Sequence, residues 1–319
     1  MVRRDGCRRV RGGATDEFAA DPGKQMSFAE LVLLALKVSI ALLVFSVGLG
    51  TKPTELTYLV RHPGRMARAL LAMNLVMPVI AVLAVKLVAL DRSVAITVIA
   101  LSLSPVPPIL PRKMLKAGGD HAYVAALLVT AAIVAVVWIP LACAVLDRIF
   151  PATIGVSPLA IAPVVMISVV GPMIAGVAVR LLSEALADRL IKPASILATA
   201  LLVLGSLLIA VKMAPQIEAQ IGDGLLIALV GFVVVGLAVG HLVGGPAPSD
   251  RTMLALATAA RHPGIAITIA HIDFPGERAV PAAVLLYLVV CAVLTFPYLA
   301  WRKREAASAI AAPGVHRAL

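Results

Sequence analysis

The sequence predicts an all-α polytopic membrane protein of about nine transmembrane helices, and three observations predict it. Of 319 residues, 61% are hydrophobic and only 14% charged, and the mean hydropathy is +1.01; soluble domains run at roughly 45–50% apolar and 25% charged. A soluble core of this size would leave large apolar patches in water. The apolar residues also fall into runs of about 20 or more, the length that carries a helix across the bilayer hydrocarbon. The period-2 alternation of a membrane β-barrel is missing.

Taken in order, the runs cover about 28–50, 66–90, 94–117, 120–147, 158–183, 192–213, 222–245, 250–272 and 278–301. Two of them are broken. The third reads Ser104-Pro105-Val106-Pro107-Pro108-Ile109-Leu110-Pro111-Arg112-Lys113, and its four prolines remove amide donors and clash with preceding carbonyls. The eighth reads Ala259-Ala260-Arg261-His262-Pro263-Gly264, with Pro263-Gly264 near its middle. Broken helices at bilayer depth survive where the freed backbone faces protein or a watery cavity. One such span in each half points to an inverted-repeat transporter with its site at the breaks; the alternative is a pair of ordinary proline kinks. Gly236, Gly240 and Gly244 recur every four residues in the seventh run and predict close helix packing.

The formal charge of +11 does not imply nucleic acid, because aromatics are only 4% and the basic residues lie between apolar runs. With nine helices beginning outside, the inner segments collect Lys52, Arg61, Arg65, Arg68, Arg112, Lys113, Lys116, Arg180, Arg189, Lys192, Arg251, Arg302, Lys303 and Arg304, against Arg92, Arg148 and Arg278 outside. The positive-inside rule then places the C-terminus in the cytoplasm. Residues 1–25 conflict with this, since Arg3, Arg4, Arg8, Arg9 and Arg11 would lie outside. Either they form a polar extension that strains the topology or the chain starts at Met26, and the second reading is preferred. The transmembrane unit is expected over 26–304, with a tail over 305–319. Cys7, Cys143 and Cys291 have no metal-ligand spacing, and no metal or cofactor is expected. No catalytic constellation of a membrane aspartyl protease, nucleophile elbow or His-Glu-x-x-His appears, so an enzyme is not expected.

Phe45-Ser46-Val47-Gly48-Leu49-Gly50-Thr51-Lys52-Pro53, Arg61-His62-Pro63, Met77-Pro78, Ser104-Pro105 through Asp120, Ala255–Ala266 and Ala279-Val280-Pro281-Ala282 follow one another in order. Over about residues 28–301 the chain resembles the bile acid:sodium symporter superfamily in these landmarks. The resemblance implies two inverted five-helix repeats, the first helix being missing here. It also implies a panel domain (28–50 and 158–213) and a core domain (66–147 and 222–301) in which the two broken helices cross. It further implies a small organic anion as substrate and a bacterial plasma membrane as location. A ligand-binding sensor or adaptor that moves nothing is the alternative on the same fold.

The departures from the family pattern concern sodium. The Gly-Gly-Thr-x-Ser-Asn of sodium-coupled members reads Val106-Pro107-Pro108-Ile109-Leu110-Pro111 here, and their Glu-x-x-x-Gln-Asn reads Ala257-Thr258-Ala259-Ala260-Arg261-His262. Hydroxyl ligands of the next core helix become Val124 and Leu128. Hard cations require oxygen ligands, so sodium coupling through those positions is not expected, and sodium, protons or no ion at all remain open. In place of oxygens the breaks carry Arg112, Lys113, Arg261 and His262. A cation at mid-bilayer costs about 2.5–3.5 kcal/mol even on insertion scales, so each needs a partner. Arg261, aided by Arg112 or Lys113, either substitutes for the ions at the break or faces the cavity and attracts an anion; Arg112 and Lys113 alternatively snorkel to the cytoplasmic end. His262 is either a proton carrier with Asp120 or His121 as relay or a plain hydrogen-bonded histidine. Asn74 and Thr258 complete the polar candidates for lining the cavity.

Overall fold

The computed structural model describes residues 28–52, 57–88, 90–107, 110, 114, 120–150, 166–220, 224–274, 276–277 and 279–311. All regular structure among them is helical. In chain order, α1 is Phe28–Gly50, α2 is Pro63–Leu87, α3 is Arg92–Leu103 and α4 is His121–Ile149; α5 is Gly171–Leu182 and α6 is Glu184–Gln220. The second half holds α7 (Leu225–Val243), α8 (Pro248–Ala259), α9 (Pro263–Asp273) and α10 (Val280–Ala311). A one-turn helix, Tyr58–Arg61, precedes α2.

Local sequence explains where these helices start and bend. Proline occupies the opening turn of α2, α8 and α9, where its missing N–H has no helical role. Asp120 caps α4 by accepting from the Ala122 amide at 3.0 Å. Within α4 the segments Ala122–Ala135 and Val137–Ile149 meet at 48°, because Pro140 crowds the carbonyl four residues earlier. Helix α2 carries a π-helical stretch over Leu71–Val76, ending two residues before Pro78.

Among the described residues, Pro63–Leu87, Leu225–Val243 and Val280–Ser308 are each long and apolar enough to cross a bilayer, and the bent α4 pair makes a fourth. The sequence predicts about nine spans. At the two breaks the apolar runs divide into shorter helices: α3, α8 and α9 hold 12, 12 and 11 residues, about 18 Å or less at 1.5 Å per residue, against about 30 Å of hydrocarbon. None of the three crosses alone. On α2, Leu71, Leu75, Val79 and Leu83 form an uncovered apolar stripe at four-residue spacing, the face a membrane helix gives to lipid.

Two packing groups emerge. Helix α1 lies along α5 and α6, and its approach to α5 depends on glycine: a Cβ on Gly176 would stand 2.3 Å from the Phe45 carbonyl. The other group joins α2, α3, α4 and α7–α10 around one buried apolar cluster. Here α7 presses against α8 through its glycine stripe, and a Cβ on Gly240 would lie 2.4 Å from the Leu254 carbonyl. The N-terminal end of α8 is pinned from two sides. Asp250 pairs with Arg65 of α2 at 2.9 Å, and Arg302 of α10 donates to Thr252 Oγ1 and to the Pro248 carbonyl, both at 2.9 Å.

Candidate functional site

The site grows out of carbonyls that proline leaves without a donor. In an α-helix the carbonyl of residue i takes its hydrogen bond from the amide of i+4, and a proline at i+4 removes it. Leu101, Ser104 and Ala259 precede Pro105, Pro108 and Pro263 by four residues; of the three, the Leu101 carbonyl keeps a share of one backbone donor, the Ser104 amide at 3.2 Å. Met73 reaches the same state through the π stretch. The Met77 amide bonds back five residues to Ala72, so the donor due to Met73 in that register is Pro78, which has none. A bare carbonyl inside a membrane protein costs several kcal/mol.

Each of these four carbonyls finds a side-chain donor. Ser104 Oγ donates to Leu101 at 2.9 Å. Tyr287, on α10, donates its hydroxyl to the Ala259 carbonyl at 2.7 Å and accepts the Arg261 amide at 2.6 Å, spanning the gap between α8 and α9. Arg261 takes the remaining two: Nη1 donates to the Ser104 carbonyl at 3.2 Å and Nη2 to the Met73 carbonyl at 3.0 Å. One guanidinium therefore ties the α8–α9 break to α2 and to the end of α3. Backbone contact adds to it, since the His262 amide donates to the Pro105 carbonyl at 2.8 Å. The two breaks thus touch directly.

Arg261 is only 2% exposed. Among the described residues no carboxylate pairs with it, and its Nε–H is buried with no acceptor. It opens onto a narrow cleft, also lined by Met73, Asn74, Ser104, Ala135 and Trp138. Ala131, Ala135 and Trp138 lie on one face of α4, and the two alanines leave the space that the cleft occupies.

The other candidates are placed as follows. Pro108, Pro111, Arg112 and Lys113 lie outside the described residues. Asn74 lines the cleft, as does Pro105. The Thr258 hydroxyl donates to the Leu254 carbonyl of its own helix at 2.7 Å and is not part of the cleft wall. Buried His262 caps α9, its Nδ1 accepting the Ile265 amide at 3.3 Å, which requires a neutral ring. Asp120 is exposed and receives the Tyr58 hydroxyl at 3.1 Å rather than meeting His262; the His121 side chain lies outside the described ones. Gly264 is held close, with its Cβ position 2.7 Å from Ile40 of α1. Trp138 and Tyr287 carried no signal in the reading of the sequence. For Tyr287 a usable one existed, because a proline inside a membrane span announces an orphaned carbonyl and hence a donor nearby.

The sodium bile acid symporter family model matches residues 37–220, more than half of the chain. The chain belongs to the sodium bile acid symporter family. Comparison with curated proteins gives no match. Members of the sodium bile acid symporter family are transporters, not enzymes, and membership places this chain among secondary transporters of a membrane solute. The matched region runs from within α1 to the end of α6 and stops before the break that holds Arg261. Where sodium-coupled relatives are expected to carry oxygen ligands, this symporter-family chain buries Leu110, Val124, Leu128 and Ala257, none of which has a side-chain oxygen.

Proposed function

We propose that this symporter-family chain is a secondary active or facilitative transporter of a small organic anion, working by alternating access at the crossing of its two broken helices without sodium at that crossing. On this reading it is a polytopic protein of about nine spans in a bacterial plasma membrane, its C-terminus cytoplasmic. The α1, α5 and α6 group acts as the panel and the remaining helices as the core. One observation carries the proposal. The guanidinium of Arg261 sits on the carbonyls of Ser104 and Met73, backbone oxygens freed at helix interruptions of the kind that coordinate cations in coupled transporters. A cation covalently tied to the chain occupies the position that a dissolved ion would need.

The role of Arg261 is electrostatic as well as structural. Helix C-terminal carbonyls carry partial negative charge, and α3 and α8 both end at the crossing. The guanidinium offsets both ends, and the N-terminus of α9 adds partial positive charge at the same break.

The test is uptake or exchange of labelled organic anions by the purified protein in liposomes, with sodium gradients and with potassium replacing sodium. Equal rates in the two salts are expected. Strict dependence on sodium overturns the ion-free crossing, and saturable binding with no flux in either salt assigns the chain to the sensor class instead.

A further inference from the structure

We infer that the turn between α7 and α8, where Arg68 and Arg251 converge on Gly245, holds the phosphate of one anionic phospholipid whose acyl chains lie along the apolar face of α2. The inference concerns a lipid partner and stands whether or not the chain moves a solute.

The two arginines reach the turn from different helices. Arg68 lies in the second turn of α2, and a Cβ on Gly245 would stand 2.8 Å from its Cζ, 3.0 Å from Nη2 and 3.1 Å from Nε. Three such similar distances mean that the guanidinium presents its face to the glycine. Gly245 has φ +94°, so both the backbone and the space suit glycine alone. Arg251, in the first turn of α8, is exposed and donates Nε–H to the Gly245 carbonyl at 2.6 Å. One backbone residue is therefore flanked by two guanidinium groups.

Their charge is uncompensated. Among the described residues no carboxylate pairs with Arg68 or Arg251, since Asp250 is taken by Arg65 and Glu305 by Arg302. The Arg68 Nε–H is buried with no acceptor. A phosphate is the ligand that such a pair of forks fits, because its oxygens accept several charge-assisted hydrogen bonds at once.

The apolar surface below the pair identifies the phosphate as a lipid's. Leu71, Leu75 and Val79 follow Arg68 by three, seven and eleven residues, which puts them on its face of α2, and all three are uncovered. Helix α7 packs against α2, and its Leu242, one turn before Gly245, is exposed as well. Cations at headgroup level thus continue into an apolar face on one helix. Basic pockets between transmembrane helices are known seats for anionic headgroups, and a dissolved phosphate would use only the polar half of this one.

Native mass spectrometry of the purified chain in detergent, titrated with phosphatidylglycerol or phosphatidylcholine, tests the site. One phosphatidylglycerol is expected to bind in preference to phosphatidylcholine, and Arg68→Gln and Arg251→Gln each weaken it about tenfold. The double variant Lys303→Gln, Arg304→Gln, which removes two charges near the end of α10, is expected to leave binding unchanged. Equal affinity for the two lipids, or equal weakening in the double variant, makes the attraction a property of the whole basic belt and overturns the site. Glycerophosphoglycerol, the same headgroup without chains, and inorganic phosphate are expected not to compete. Displacement of the lipid by either at equal concentration overturns the lipid in favour of a soluble phosphate. Should Arg68→Gln fail to fold, Arg251→Gln, at an exposed side chain, decides in the same way.

Discussion

Tyr287 and Arg261 share one task, supplying donors to carbonyls that proline has stripped. Tyr287→Phe keeps the ring packed against Phe232 and deletes only the hydroxyl, leaving the Arg261 amide unpaired and the Ala259 carbonyl with only the weak Cys291 thiol donor at 4.0 Å. Each buried group left so costs about 1–3 kcal/mol. The variant is therefore expected to unfold several degrees lower in detergent than the parent, and an unchanged transition contradicts the bridging role. The depth of Arg261 was legible in the sequence, because a charge so far inside an apolar run has no path to water. Its partners were not. They are backbone carbonyls of α2 and α3, and only the folded chain shows which carbonyl meets which side chain.

Helix α7 illustrates what a spacing rule can and cannot say. Glycine every four residues implied a close neighbour, and the neighbour is α8, whose backbone passes within the radius of a methyl group at Gly236, Gly240 and Gly244. Gly240→Ala forces the two helices apart, with an expected loss of about 1–3 kcal/mol. Gly231 lies on the same helix with nothing within 4 Å of its Cβ position. Gly231→Ala is expected to be neutral or to gain up to about 1 kcal/mol, and comparison of the two melting curves separates packing from helix propensity. The breaks were also readable as Pro-rich interruptions of apolar runs. By contrast, the bend of α4 and the π stretch of α2 are not legible in the sequence, since one proline inside a long apolar run does not reveal how the chain accommodates it.

Across the whole molecule, family membership followed from ordered landmarks over most of the chain, and the model match over residues 37–220 shows it. Helix continuity was less accessible, because hydropathy adds up residues whether or not a helix is continuous through them. Orientation belongs to this scale too. Arg302, Lys303 and Arg304 cluster near the end of α10, and the proposed cytoplasmic C-terminus predicts that a fluorescent protein fused there fluoresces. The same position fused to a phosphatase that works only after export is expected to stay inactive, and the reverse pair of results inverts the topology.

The hydrogen bonds from Arg261 to Ser104 and Met73 also bear on mass action. A protein that folds around a dissolved ion gains stability as that ion is added, by RT ln(1 + [ion]/Kd), about 2.7 kcal/mol at one hundred times Kd. A cation joined to the chain by its own side chain has no concentration to vary. Melting temperatures measured at equal ionic strength in sodium, potassium and choline chloride are therefore expected to coincide, and a selective rise in sodium would reveal an ion bound elsewhere. Dialysis or a change of medium cannot empty the crossing of this protein; only mutation can.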